Sequence, residues 1–202
     1  MTLTPEQRAS RGRLWREELD TLHERCVRDA QDHLSSLILA LDPTAHFSLP
    51  PDAIGLGYTI RDLVSYARTG RAGDWDDSGS AMDALNSVSC LYDATYGDPV
   101  MPADWSGEVE HDGARGELAE VAGAVLARVQ LEQRRPVPRA WLAALAGVSI
   151  KSIVKALSQG ELRSAKGSGR AARGDGGGRK SLDVDVESAR AWLVAREVEG
   201  VS

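Results

Sequence analysis

Apolar side chains recur every three or four residues along most of this chain, and the interruptions mark its elements. The first run carries Trp15, Leu19, Leu22, Cys26, Ala30, Leu34, Leu37 and Leu41, the spacing of one helical face. Thr4-Pro5-Glu6-Gln7 has the form of a capping box with proline at the first helical position, and apart from Gly12 no breaker follows until Asp42-Pro43. A long first helix is therefore predicted. The register slips between Cys26 and Ala30, so the run falls short of a perfect heptad repeat and fits one helix or two with a bend. Further helices are predicted around Ile60, Leu63, Val64 and Ala67, stopped by Gly70. Another carries Ala81, Met82, Leu85, Val88 and Tyr92, stopped by Gly97, and a third runs over Glu117 to Arg134, ended by Pro136 and Pro138. His46-Phe47-Ser48-Leu49-Pro50-Pro51-Asp52 and the stretch from Gly97 to Gly116 lack any period and read as connections.

The pattern changes character after Pro138. Trp141, Leu142 and Leu145 form a short apolar stripe that runs into Gly147. Ser149 then offers an N-cap, and Ile153, Ala156 and Leu157 begin a second stripe at once. Two short helices meeting at a glycine are the element that presents a helix to the DNA major groove. If the second stripe faces the core formed by Leu142, Leu145, Leu193 and Trp192, the opposite face shows Ser149, Ile150, Lys151, Ser152, Val154, Lys155 and Ser158. Lysine contacts guanine or phosphate and an aliphatic side chain meets a thymine methyl, but a face without Arg, Asn or Gln encodes few bases. Beyond it, glycine fills six of the twelve positions from 167 to 178, Leu182, Val184 and Val186 alternate as in a strand, and Ala189, Trp192, Leu193 and Arg196 mark a closing helix.

Composition sharpens this division. The formal net charge of -6 argues superficially against a polyanionic partner. It conceals a split: residues 135–202 hold 12 basic and 7 acidic side chains, a formal +5, which leaves -11 on residues 1–134. An acidic body with a basic end is the asymmetry expected when one module touches nucleic acid. The surplus concentrates in Arg163, Lys166, Arg170, Arg173, Arg179 and Lys180, opposed between 163 and 180 only by Asp175. A glycine-rich cationic stretch neutralises phosphates and adds affinity without reading sequence.

The order helix, turn, helix, hairpin, helix, together with Gly147-Val148-Ser149, Ile153, Gly160-Glu161-Leu162 and the closing Glu187-Ser188-Ala189-Arg190-Ala191-Trp192-Leu193, resembles winged helix-turn-helix modules, those of phage excisionases and MerR-type regulators above all. Ala143 and Ile153 fill the small and branched positions that flank the turn glycine in that pattern. The resemblance covers residues 138–196 and implies a DNA-binding module over 136–202; its wing is usually short, whereas Ser164 to Lys180 is long. Residues 1–135 resemble no family. The fold expected is mainly α, an N-terminal helical bundle with a long first helix followed by a small winged helix-turn-helix domain.

Other chemistries find little support in the residues. Asp74, Asp76 and Asp77 around Trp75 lack the alternating oxygens and closing glutamate of a calcium loop, so a solvated acidic turn is the reading. His23, Cys26 and His33 lie near one face of the first helix, but two or three such residues do not complete a zinc site, and His46 and His111 stand alone in connections. Gly174 to Ser181 imitates a phosphate-binding loop except that Arg179 replaces its second glycine, and no strand precedes it. No serine sits in a nucleophile elbow. Neither enzyme activity, metal nor cofactor is expected. Cys26 and Cys90 read as free thiols in a reducing compartment, and the N-terminus lacks the blocks of a secretory signal, so a cytoplasmic location is expected and no membrane partner. The function expected is that of a DNA-binding protein, a transcriptional regulator homodimeric through its N-terminal helices and bound to double-stranded DNA. The alternative is a protein-interaction adaptor that tethers a partner complex to DNA in a phage, plasmid or genome-defence system.

Overall fold

A helix buried on every side organises the molecule. In a computed structural model that describes residues 13–44, 56–73, 75, 78–96, 113–165 and 183–201, the fourth α-helix, Gly113–Glu132, buries every residue from Val121 to Val129. Ala, Gly, Val and Leu fill that stretch apart from Arg128, whose guanidinium finds its partners inside, so the helix is surrounded rather than laid on a surface. Around it stand α1 (Leu22–Leu41), α2 (Leu56–Thr69) and α3 (Ser78–Tyr96), and from its end the chain continues into α5 (Arg139–Leu145), α6 (Ile150–Ser158) and α7 (Val186–Val194). Here α4 is Gly113–Glu132. The protein is mainly helical, as its periodicity predicts. One hydrophobic cluster runs without interruption from Leu14 and Leu19 through Ile60, Leu85 and Val125 to Leu142, Ile153 and Leu193.

The predicted long first helix is shorter than its pattern. Residues 13–21 form two 3-10 turns, Arg13–Trp15 and Glu17–Thr21, separated by Arg16 in an extended conformation, and the α-helix starts at Leu22. The break has a packing reason: it lets Leu14 and Leu19 both reach the core while Arg13 and Arg16 turn to the carboxylate of Glu120 on α4, at 3.2 and 3.0 Å. The proposed capping box at Thr4 lies outside the described residues.

Of the alternating Leu182, Val184 and Val186, Leu182 lies outside the described residues, and Val184 and Val186 do not continue as a strand. Among the described residues the only sheet-like pairing in this part is a pair of single bridges: Val184 pairs antiparallel with Val137 on one side and with Ser164 on the other. Val186 is already helical, because the Asp185 carboxylate accepts the backbone N–H of Ser188 at 3.0 Å and caps α7 at its start. A cap at Asp185 outweighs the alternation.

Candidate nucleic-acid interface

The turn between α5 and α6 is built by local hydrogen bonds that the glycine permits. Gly147 has φ +65°, its N–H donates to the Ala144 carbonyl at 3.1 Å, and the Val148 N–H reaches back to the Ala143 carbonyl at 3.0 Å. This is a Schellman closure, which needs a left-handed residue at that position. Ser149 then caps α6, its Oγ accepting the Ser152 N–H at 3.2 Å. The two helices diverge by 111°, within the range of DNA-reading helix pairs.

A residue far away in sequence holds the same turn. The Arg13 guanidinium donates to the Val148 carbonyl at 2.6 Å, its backbone N–H approaches the Gly147 carbonyl at 3.5 Å, and its Nε lies 3.2 Å from Glu120. Two carbonyls of the turn itself are thereby tied to the body. No signal in the sequence joins positions 13 and 148; only the fold brings them together.

On α6, Ile153 and Ala156 are buried, and Leu157 packs partly buried against the same core. The opposite face is open as the periodicity predicts: Ser149, Lys151, Ser152, Lys155 and Ser158 are exposed and Val154 keeps 44% of its surface. Ile150 differs, being half-buried against the core. The hydroxyls also have intramolecular duties. Ser149 and Ser152 share a 3.0 Å contact between their Oγ atoms, and Ser158 donates to the Lys155 carbonyl at 2.7 Å. Among the described residues neither Lys151 nor Lys155 forms a salt bridge, so both ammonium groups are open to an anionic partner.

After α6, Gly160 at φ +78° closes a second turn of the same kind and Leu162 enters the core. Residues 163–165 and 183–185 then run alongside each other: Asp185 N–H donates to the Arg163 carbonyl at 2.8 Å and Ala165 N–H to the Asp183 carbonyl at 2.9 Å. On the far side Val184 exchanges two hydrogen bonds with Val137, at 2.8 and 3.0 Å. Arg163 is exposed, with its guanidinium 3.5 Å from Asp185. Lys166, Arg170, Arg173, Arg179 and Lys180 lie outside the described residues. What the structure adds is the root of that segment, both ends of which are tied to one ladder. The ladder is in turn fastened to α7, where buried Ser188 accepts the Arg163 N–H at 2.9 Å and Trp192 donates its indole N–H to Glu161 at 3.3 Å under the stacked guanidinium of Arg196.

The other candidate ligands are placed separately. Cys26 is buried, and desolvation pushes its thiol up to about 12, leaving it protonated near neutral pH. Cys90 is exposed and both thiols are free. His23 lies 3.9 Å from Glu24 on the same helix. Among the described residues no three His, Cys, Asp or Glu side chains converge in a way that could hold a metal ion. Asp74, Asp76 and Asp77 lie outside the described residues. Among the described residues no single helix is long and apolar enough to cross a membrane.

Reasoning from sequence also missed Arg128. This guanidinium on α4 is only 3% exposed and donates to the Ala67 carbonyl at 3.0 Å, the Arg68 carbonyl at 2.9 Å and the Glu199 carbonyl at 2.6 Å. It ties the end of α2 and the segment after α7 to the central helix. Burial lowers its pKa to about 10, so it stays charged at neutral pH.

No protein-family model, curated protein or solved structure matches this chain.

Proposed function

We propose that the protein binds double-stranded DNA through residues 136–202, acting as a winged helix-turn-helix transcriptional regulator in the cytoplasm, with α6 in the major groove. The observation that carries this reading is the open face of α6, where Lys151, Val154 and Lys155 project from a helix rigidly set at 111° to α5 and no described residue neutralises either lysine. A guanine edge or a phosphate suits the lysines, and a thymine methyl suits Val154. The bridges of Val184 to Val137 and to Ser164 support the winged form of the reading, because they hold residues 163–165 and 183–185 side by side between α6 and α7. Arg163, Lys166, Arg170, Arg173, Arg179 and Lys180 then serve as phosphate contacts.

Binding to random and genomic duplexes across a salt series tests the proposal. Lys151→Ala with Lys155→Ala should erase the preference for a selected site, at about 1–3 kcal/mol for each base no longer read. Deletion of residues 166–180 should weaken all sequences alike and flatten the salt slope by about 0.9 for each phosphate no longer neutralised. Absence of DNA binding by the intact protein at low salt would refute the proposal, whatever the variants do.

A further inference from the structure

Helix α1 is packed along only half its length. Its buried residues, Leu22, Cys26, Val27 and Ala30, all fall within its first nine positions. The same stripe continues through Leu34, Leu37, Ile38 and Leu41, with nothing comparable covering it among the described residues. Leu34 is 38% exposed, Leu37 50% and Leu41 88%, while Ile38 is half-buried. The other exposed large apolar side chains among the described residues, Leu39, Tyr58, Val154 and Val194, do not share this stripe.

We propose that the stripe Leu34, Leu37, Ile38 and Leu41 is a dimerisation surface, covered by the same stripe of a second copy of this chain running antiparallel. A short helix with aliphatic residues in water is marginal by itself and gains stability chiefly by packing that face. Charge limits where a second copy fits. Residues 1–134 carry a formal -11, so two bodies repel over most of their surface, yet from His33 to Leu41 there is no Asp, Glu, Lys or Arg. Here alone along α1 no formal charge of one copy faces a like charge of the other, so the repulsion is least. A two-fold contact needs a self-complementary patch. The antiparallel register that sets Leu34 against Leu41 and Leu37 against Ile38 also brings His33 of one copy beside Asp42 of the other at both ends.

The strip of eleven residues from Gln31 to Leu41 is about 16 Å long, short beside the roughly 800 Å² per partner of a standard interface. The dimer is accordingly weak in free solution, with dissociation on the order of 10 µM or above. The inference stands apart from the DNA reading, since it rests on residues of α1 alone. If both hold, two linked modules engage adjacent half-sites and DNA reinforces the pair.

Sedimentation of the full chain without DNA, from about 1 µM to about 500 µM, spans the range in which so small a contact associates. The native sequence should pass from monomer to dimer, and Leu37→Glu with Leu41→Glu should remain monomeric with unchanged circular dichroism. Tyr58→Glu, an exposed position off the stripe, should dimerise as the native chain does. A native protein that stays monomeric throughout overturns the proposal, as does dimerisation undiminished by the double glutamate variant. In a Cys90→Ser background, a mixture of Leu34→Cys and Leu41→Cys chains should cross-link between the two kinds. Cross-linking of Leu34→Cys to itself instead would overturn the antiparallel register. DNA binding is scored separately, by the lysine variants, so failure of either proposal is visible without the other.

Discussion

The central helix α4 and the presented helix α6 solve opposite problems with the same backbone. Across α4 thirteen residues are buried, on all sides, whereas α6 buries only Ile153 and Ala156 of its nine. In α4 the identity of nearly every side chain is constrained by packing, so a change there acts on stability. At the exposed Lys151, Val154 and Lys155 of α6 no described hydrogen bond or ion pair fixes the side chain, and changes there should act chiefly on what the helix meets. Core packing and, on the proposed reading, recognition are thus divided between two helices that share one core.

The most severe test of this division is Arg128→Ala on α4. It leaves three carbonyls, those of Ala67, Arg68 and Glu199, without their donor and opens a cavity in the core, so we expect a loss of about 3–5 kcal/mol, measured by urea denaturation. A loss below about 1 kcal/mol would mean that α4 is less constrained than its burial indicates. An intermediate effect is expected at the border between the two helices. Ser149→Ala removes the N-cap of α6 and should cost about 1 kcal/mol, whereas Ser149→Asp should keep the cap and its stability. If both variants lost equal stability, the cap would not be the cause. The smallest effect belongs to Lys151→Ala with Lys155→Ala, which should change stability by no more than about 0.5 kcal/mol while, on the proposed reading, removing site preference. Unfolding of that variant well below the native midpoint would sink the division.

Much of this architecture is legible in the residues. The helices around Ile60, Ala81 and Val125, and the pair around Gly147, sit where three-four periodicity puts them, each stopped by a glycine or proline, although around Val125 the helix is buried on all sides rather than on one face. The open face of α6 follows from the same period, and Ser149 caps the helix as its place before Ile150 indicates. Ile150 escaped this reading, since the first turn of α6 lies close enough to the core for a side chain off the main stripe to be partly covered. The alternation did not carry through Val186, because the Asp185 cap starts the helix there. Along α1 the periodic stripe is divided by the fold, with Leu22, Cys26 and Ala30 packed within the chain and Leu34, Leu37 and Leu41 exposed.

By itself the sequence determined the presence of most helices and the glycines and prolines that end them, the turn at Gly147, the outward face of α6 and the split of charge, since each depends on neighbours within a few residues. Tertiary structure alone decided that α4 lies at the centre, that Arg13 caps the turn at Val148 from 135 positions away, that Arg128 joins α2 to the segment after α7, and which half of the α1 stripe is already used. Those contacts depend on which distant surfaces meet, and a periodic pattern says that a face will be buried without saying against what.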